Sequence, residues 1–117
     1  MARPVMYGAY HPISVCGARG DVASREQLDV IIGGPLCESG DIFTQREGGF
    51  VESRKLPLPM VGDYVVLENA GAYGFVMASN YNSKTRAAEV MIEDGAAKLI
   101  RRRETFDDLI RGEVIPD

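Results

Sequence analysis

Chain breakers punctuate this sequence so closely that no element can run long. Gly33-Gly34-Pro35, Gly48-Gly49, Leu56-Pro57-Leu58-Pro59, Gly62, Gly71, Gly74 and Gly95 leave only short intervals between them. Thirteen glycines and six prolines in 117 residues, with no tryptophan, fit many turns and short strands rather than a helical bundle. That length is one ordinary domain. An apolar fraction of 45% suffices for a core and is too high for a disordered tail.

Between the breakers, alternation marks the strands. Ile13 and Val15 lead into Cys16, and residues 17 to 26 read as a polar turn. Leu28, Val30 and Ile32 predict a strand of about five residues. Residues 42 to 59 alternate poorly and read as a loop or loose hairpin. Tyr64 to Glu68 has the strongest β-branched and aromatic content. Ala70 to Gly74 predicts a turn, followed by a short helix from Phe75 to Ala78. Ala88 to Ile92 and Ala97 to Arg101 form a hairpin around Glu93-Asp94-Gly95. Thr105 caps a short helix through Ile110, with Asp107 and Asp108 in its first turn. Short strands with one or two minor helices predict a mainly β fold, a Greek-key-like β-barrel or sandwich.

Several functions are disfavoured. A net charge of −4 lacks the basic face that phosphate neutralisation needs, so nucleic acid is not an expected partner. Two cysteines, Cys16 and Cys37, and one histidine, His11, cannot supply a structural zinc site, so no metal is expected. No G-x-S-x-G elbow accompanies His11, which reads as a structural histidine. The start MARPVMYG lacks an apolar core of signal-peptide length, and no run reaches membrane-spanning length. A reducing, cytoplasmic compartment is the expectation, with both cysteines reduced.

Four constellations bear on chemistry. Cys37-Glu38-Ser39-Gly40-Asp41 sets a thiol beside a carboxylate in a glycine-flanked loop at a strand end. A thiol with an ordinary pKa of about 8.5 is mostly protonated at neutral pH and can donate a proton to a carbanion. On spacing alone, a buried inert cysteine beside an exposed glutamate is the simpler reading. Ala70-Gly71-Ala72-Tyr73-Gly74 offers a phenol on backbone that a ligand can approach closely, or else a tight turn with a core tyrosine. Arg3 and Tyr7 stand four residues apart, the arginine fork suiting a carboxylate, or else fraying at a terminus. Arg101-Arg102-Arg103 reads as a solvated face.

Taken together, RPVMYGAYHPI, GGPLCESGD, LPLPMVGDYVVLENAGAYG, MASNYNS and KLIRRRET, in this order, resemble the carboxy-terminal domain of the diaminopimelate decarboxylase family. The resemblance covers essentially the whole chain, 1–117, as a single β-domain. It implies the fold of alanine racemase, with pyridoxal phosphate as cofactor and meso-diaminopimelate converted to L-lysine and carbon dioxide. It implies that Cys37 is the proton donor. Arg3, Tyr7, Glu38 and Tyr73 would bind substrate, and Tyr73 would also contact the cofactor phosphate. It further implies a head-to-tail homodimer in which the Cys37 loop enters the neighbouring active site.

The same resemblance places the Schiff-base lysine on a preceding (β/α)8 barrel outside this sequence. None of Lys55, Lys84 and Lys98 stands in a cofactor context, so the chain alone is expected to be inactive. Residues 42 to 56 are longer than the family's usual link, Lys84 replaces a common arginine, and Thr85 and Ala88 replace common prolines. An ornithine- or arginine-type decarboxylase is the nearest alternative. Glu38 and Arg3 favour diaminopimelate, since those enzymes tend to carry aspartate after the cysteine and need no arginine for a second carboxylate. A non-catalytic dimerisation or binding module derived from the family is the alternative of another class. Cys16 is left with the inert reading.

Overall fold

The computed structural model describes residues 3–117. They divide into two compact units, one ending at Met77 and the other spanning Ala78–Asp117. The first begins with a short helix, α1 (Arg3–Tyr7), followed by six strands: β1 (Ile13–Cys16), β2 (Gln27–Val30), β3 (Gln45–Arg46), β4 (Phe50–Val51), β5 (Arg54–Pro57) and β6 (Tyr64–Leu67). The strands pair antiparallel as β1 with β6, β2 with β5 and β3 with β4.

Alternation explains the pairing of β2 with β5. Leu28 opposes Leu56 on the buried face, while Asp29 opposes Lys55 on the exposed one, where their side chains form an ion pair at 2.7 Å. Val15, Val22 and Leu56 form the buried apolar cluster of this unit, with Ile13, Val30 and Ile32 packed against it. Arg25 ties the turn before β6 to the turn before β2. It pairs with Asp63 and donates to the Leu58 carbonyl at 3.1 Å and to Asp21 at 2.8 Å.

The second unit has a hairpin, β7 (Glu89–Glu93) and β8 (Ala96–Arg101), and a helix, α2 (Phe106–Ile110). Asp94 and Gly95 have φ of 52° and 75°, the two left-handed positions that a two-residue hairpin turn requires. The Asp108 carboxylate accepts the Thr105 N–H at 2.8 Å and its hydroxyl at 3.1 Å, anchoring the N-cap. Arg102 forks onto the same carboxylate at 2.6 and 2.7 Å, and Arg101 pairs with Glu89. Two members of the arginine run therefore act within the fold.

The mainly β class with two short helices holds, but the details differ. The ladders stay as pairs of short strands, and the described residues form no closed barrel. Residues 75–78, expected as a helix, are turn through 77 and irregular at 78, and Tyr73 at φ 65° keeps a right-handed turn from leading into them. Of the loop or loose hairpin expected over 42–59, the hairpin is present as β3 and β4, and β5 adds a strand that was not expected. Leu58 N–H bonds the Glu26 carbonyl at 2.8 Å, so Pro57, opposite Gln27, sits where the ladder needs no donor.

Candidate functional site

The first unit brings two segments of the expected site together. Helix α1 presents Arg3 and Tyr7 one turn apart, at i and i+4, on a shared face. Pro4 near its start is fully buried and anchors it. Its end is set by Gly8, at φ 59°, whose N–H bonds the Pro4 carbonyl at 2.9 Å in a left-handed cap. A side chain at Gly8 would collide with the backbone of Arg46 and Glu47, so glycine lets α1 dock on the turn after β3.

The second segment is the loop bearing Cys37 and Glu38. The bridge between Gly33 and Ile42 closes its base, and Gly34 N–H donates to the Asp41 carbonyl at 2.7 Å. The Asp41 carboxylate lies over Gly34, where any Cβ would strike it, and accepts the Leu36 N–H at 2.9 Å. Glu38 Oε1 accepts the Gly40 N–H at 2.9 Å and the Ser39 hydroxyl at 3.3 Å. Cys37 and Glu38 are both exposed. Cys16, at the end of β1, is also exposed, and the buried alternative for Cys37 does not hold.

These segments meet. A Cβ built on Gly40 would lie 2.8 Å from Val5 Cγ2, so the Cys37 loop packs against α1 between Arg3 and Tyr7. The Arg3 guanidinium lies 5.2 Å from the centre of the Tyr73 ring, a cation–π contact that joins α1 to the Ala70–Gly74 turn. Tyr73 is 57% exposed, and the Cα of neighbouring Gly71 faces open space. The turn thus leaves a phenol accessible beside unshielded backbone.

Two polar residues that the sequence reading left in a loop prove to be buried under this site. Thr44 is fully buried and its hydroxyl oxygen accepts the Ile32 N–H at 3.1 Å. Gln45 is 5% exposed and donates from Nε2 to the carbonyls of Ile42 at 2.7 Å and Gly40 at 3.3 Å. His11 is buried as a structural residue, with Nδ1 3.0 Å from the Glu68 carbonyl. Among the described residues no cluster of three or more His, Cys, Asp or Glu could hold a metal, and no helix is long and apolar enough to cross a membrane.

Residues 1–71 match the family described as "Pyridoxal-dependent decarboxylase, C-terminal sheet domain". The chain belongs to this family. It is 49% identical over 116 residues to the diaminopimelate decarboxylase of Escherichia coli K12, covering 98% of this chain and 28% of that enzyme. With the Streptomyces coelicolor diaminopimelate decarboxylase it is 46% identical over 116 residues, 99% of this chain and 26% of that one. A crystal structure of a diaminopimelate decarboxylase superposes with a TM-score of 0.90 at 50% identity, over 95% of this chain and 27% of the other. The diaminopimelate decarboxylase from M. jannaschii, solved with L-lysine, gives 0.80 at 38%, over 99% of this chain and 24% of the other. This family member therefore spans about a quarter of the length of the relatives it matches.

Proposed function

We propose that this chain is the C-terminal sheet domain of a diaminopimelate decarboxylase that releases carbon dioxide from meso-diaminopimelate to give L-lysine. The observation that carries the reading is the packing of the Cys37 loop against α1, with Arg3 stacked on Tyr73. One thiol, one carboxylate, one guanidinium and two phenols then belong to one region of the first unit. A diamino dicarboxylate is the substrate class that uses all of them.

The residues divide the work by chemistry. Arg3 forks onto the carboxylate distant from the reacting carbon, and Glu38 receives the distant ammonium. Tyr7 adds a phenolic hydrogen bond to substrate. The Tyr73 hydroxyl, accessible beside open backbone, fits a contact with the phosphate of pyridoxal phosphate. That cofactor, when bound, accepts the electron pair left as carbon dioxide departs. Cys37 Sγ–H then delivers a proton to the carbon that lost the carboxylate. Lys55 and Lys98 pair with Asp29 and Glu93, and this reading takes the cofactor lysine from the barrel domain of the full-length enzyme. The working form is a cytoplasmic homodimer in which each active site takes Cys37 and Glu38 from one subunit and Arg3, Tyr7 and Tyr73 from the other, the loop leaving its place beside α1 of its own chain to enter the neighbouring site.

Assay of the full-length protein on meso-diaminopimelate, ornithine and arginine tests this reading. Only diaminopimelate is expected to turn over. Cys37→Ala is expected to lower kcat by about 10²-fold or more, the usual contribution of a placed general acid. Arg3→Ala is expected to lower kcat/KM by roughly 10- to 100-fold, the worth of charge-assisted hydrogen bonds. Preferential turnover of ornithine or arginine would replace diaminopimelate as substrate, and a full-length protein inert on all three would favour a binding module.

A further inference from the structure

We propose that Gln45 is a positioning residue for the Cys37 loop, an inference that rests on the role given to Cys37 above. A carboxamide is costly to bury unless its N–H groups find partners, and an apolar side chain of similar size would fill the slot without that cost. Gln45 is nearly inaccessible, and both donors of Nε2 go to the outgoing stem of one loop, at the Gly40 and Ile42 carbonyls. Gly40 in turn gives its N–H to Glu38 Oε1 at 2.9 Å. An unbroken hydrogen-bonded path therefore runs from the buried amide to the carboxylate beside Cys37.

The surroundings make that path consequential. Gln45 is the first residue of β3, and Arg46 and Glu47, which follow it, form the floor on which Gly8 docks α1. Gly40 lies against Val5 of the same helix. One amide thus holds the loop of the proposed acid in register with the helix of the proposed carboxylate-binding arginine. The incoming stem is fixed separately, by the Ile32 N–H on the Thr44 hydroxyl. Removing the Gln45 donors leaves the base of the loop closed by the Gly33–Ile42 bridge and the Gly34–Asp41 bond but loosens its Gly40 end, and with it Glu38 and the neighbouring Cys37.

The test uses the full-length enzyme with Gln45→Met, which keeps volume and loses both donors, Gln45→His, which keeps an N–H donor, and Gln45→Glu. Q45M is expected to lower kcat for diaminopimelate at least tenfold and to raise KM severalfold, since Gly40 also holds Glu38, and Q45H to retain most of kcat. An ionised Q45E side chain only accepts, and it faces two carbonyl oxygens. Its kcat should recover toward acidic pH as the carboxyl regains a proton, a limb missing from wild type and Q45M. Iodoacetamide labelling of Cys37, followed by mass spectrometry, should differ at least threefold between Q45M and wild type. Unchanged kcat, pH profile and labelling rate overturn the proposal. So does activity lost only in step with folded protein, which makes Gln45 a core-stabilising residue. A wild-type enzyme inactive on diaminopimelate would count against the proposed function instead, and the labelling comparison would still decide the role of Gln45.

Discussion

Gly8 concentrates two requirements in one position, a left-handed backbone and an approach to Glu47 that leaves no room for a Cβ. Gly8→Ala meets both penalties, roughly 1–2 kcal/mol for the left-handed conformation and about 1–3 kcal/mol for overpacking. Because the strain falls between α1 and the turn after β3, relief comes by lifting the helix. The G8A full-length enzyme is therefore expected to show a raised KM for diaminopimelate along with a lowered Tm, and a KM equal to wild type would argue that α1 holds no substrate. At this scale the sequence was legible through motifs rather than spacing. Cys37 and Glu38 in isolation suggest an inert thiol beside a surface acid, and only the ordered motifs around them separate the two readings. Gln45 gave no signal, because a glutamine in a poorly alternating stretch looks the same whether solvated or buried.

Among the elements, the closure between residue 86 and residue 104 carries a pH dependence that can be worked out. The Arg86 guanidinium donates to Glu104 Oε1 at 2.6 Å, while the Arg86 N–H and Asn80 Nδ2 donate to Oε2 at 2.8 and 2.7 Å. These donors, the Arg86 side chain foremost, pull the Glu104 carboxyl from 4.5 down to about 2. Asp108 at the head of α2 is lowered in the same sense by Arg102 and the Thr105 N–H. A carboxyl more acidic in the folded state stabilises it fully above the unfolded pKa, and that contribution disappears as pH falls through the folded one. Urea unfolding between pH 4.5 and 2 should show stability dropping with acidity, and Glu104→Gln should make the slope shallower; an unaltered slope would exclude Glu104 as a source. β1, β2 and β6 were legible through alternation, and the β7–β8 hairpin because alternation and the Asp94-Gly95 turn agree. β5 was hidden by prolines whose missing donors the ladder never needs, and α1 by its brevity, although Pro4 and Gly8 mark its two ends.

For the whole molecule the apolar surface is the informative quantity. Val90, Ile92, Leu99 and Ile100 of the hairpin, and Phe106 and Ile110 of α2, are each more than half exposed. The first unit adds Tyr64, Phe50 and Met60, so both units present apolar side chains to water. A two-stranded hairpin is marginal by itself, and contiguous exposed apolar surface marks either an interface or an aggregation liability. The unpaired edges of ladders only two strands wide add open hydrogen-bonding groups to that surface. Under the proposed function the remaining three-quarters of a full-length enzyme supplies both the cover and the cofactor lysine. The 117-residue chain expressed alone should then associate in size-exclusion chromatography, bind a hydrophobic dye, and retain no pyridoxal phosphate absorbance after desalting. A clean, dye-free monomer would show that these faces are stable in water, and retained cofactor would show that the chain holds more of the active site than one phosphate contact.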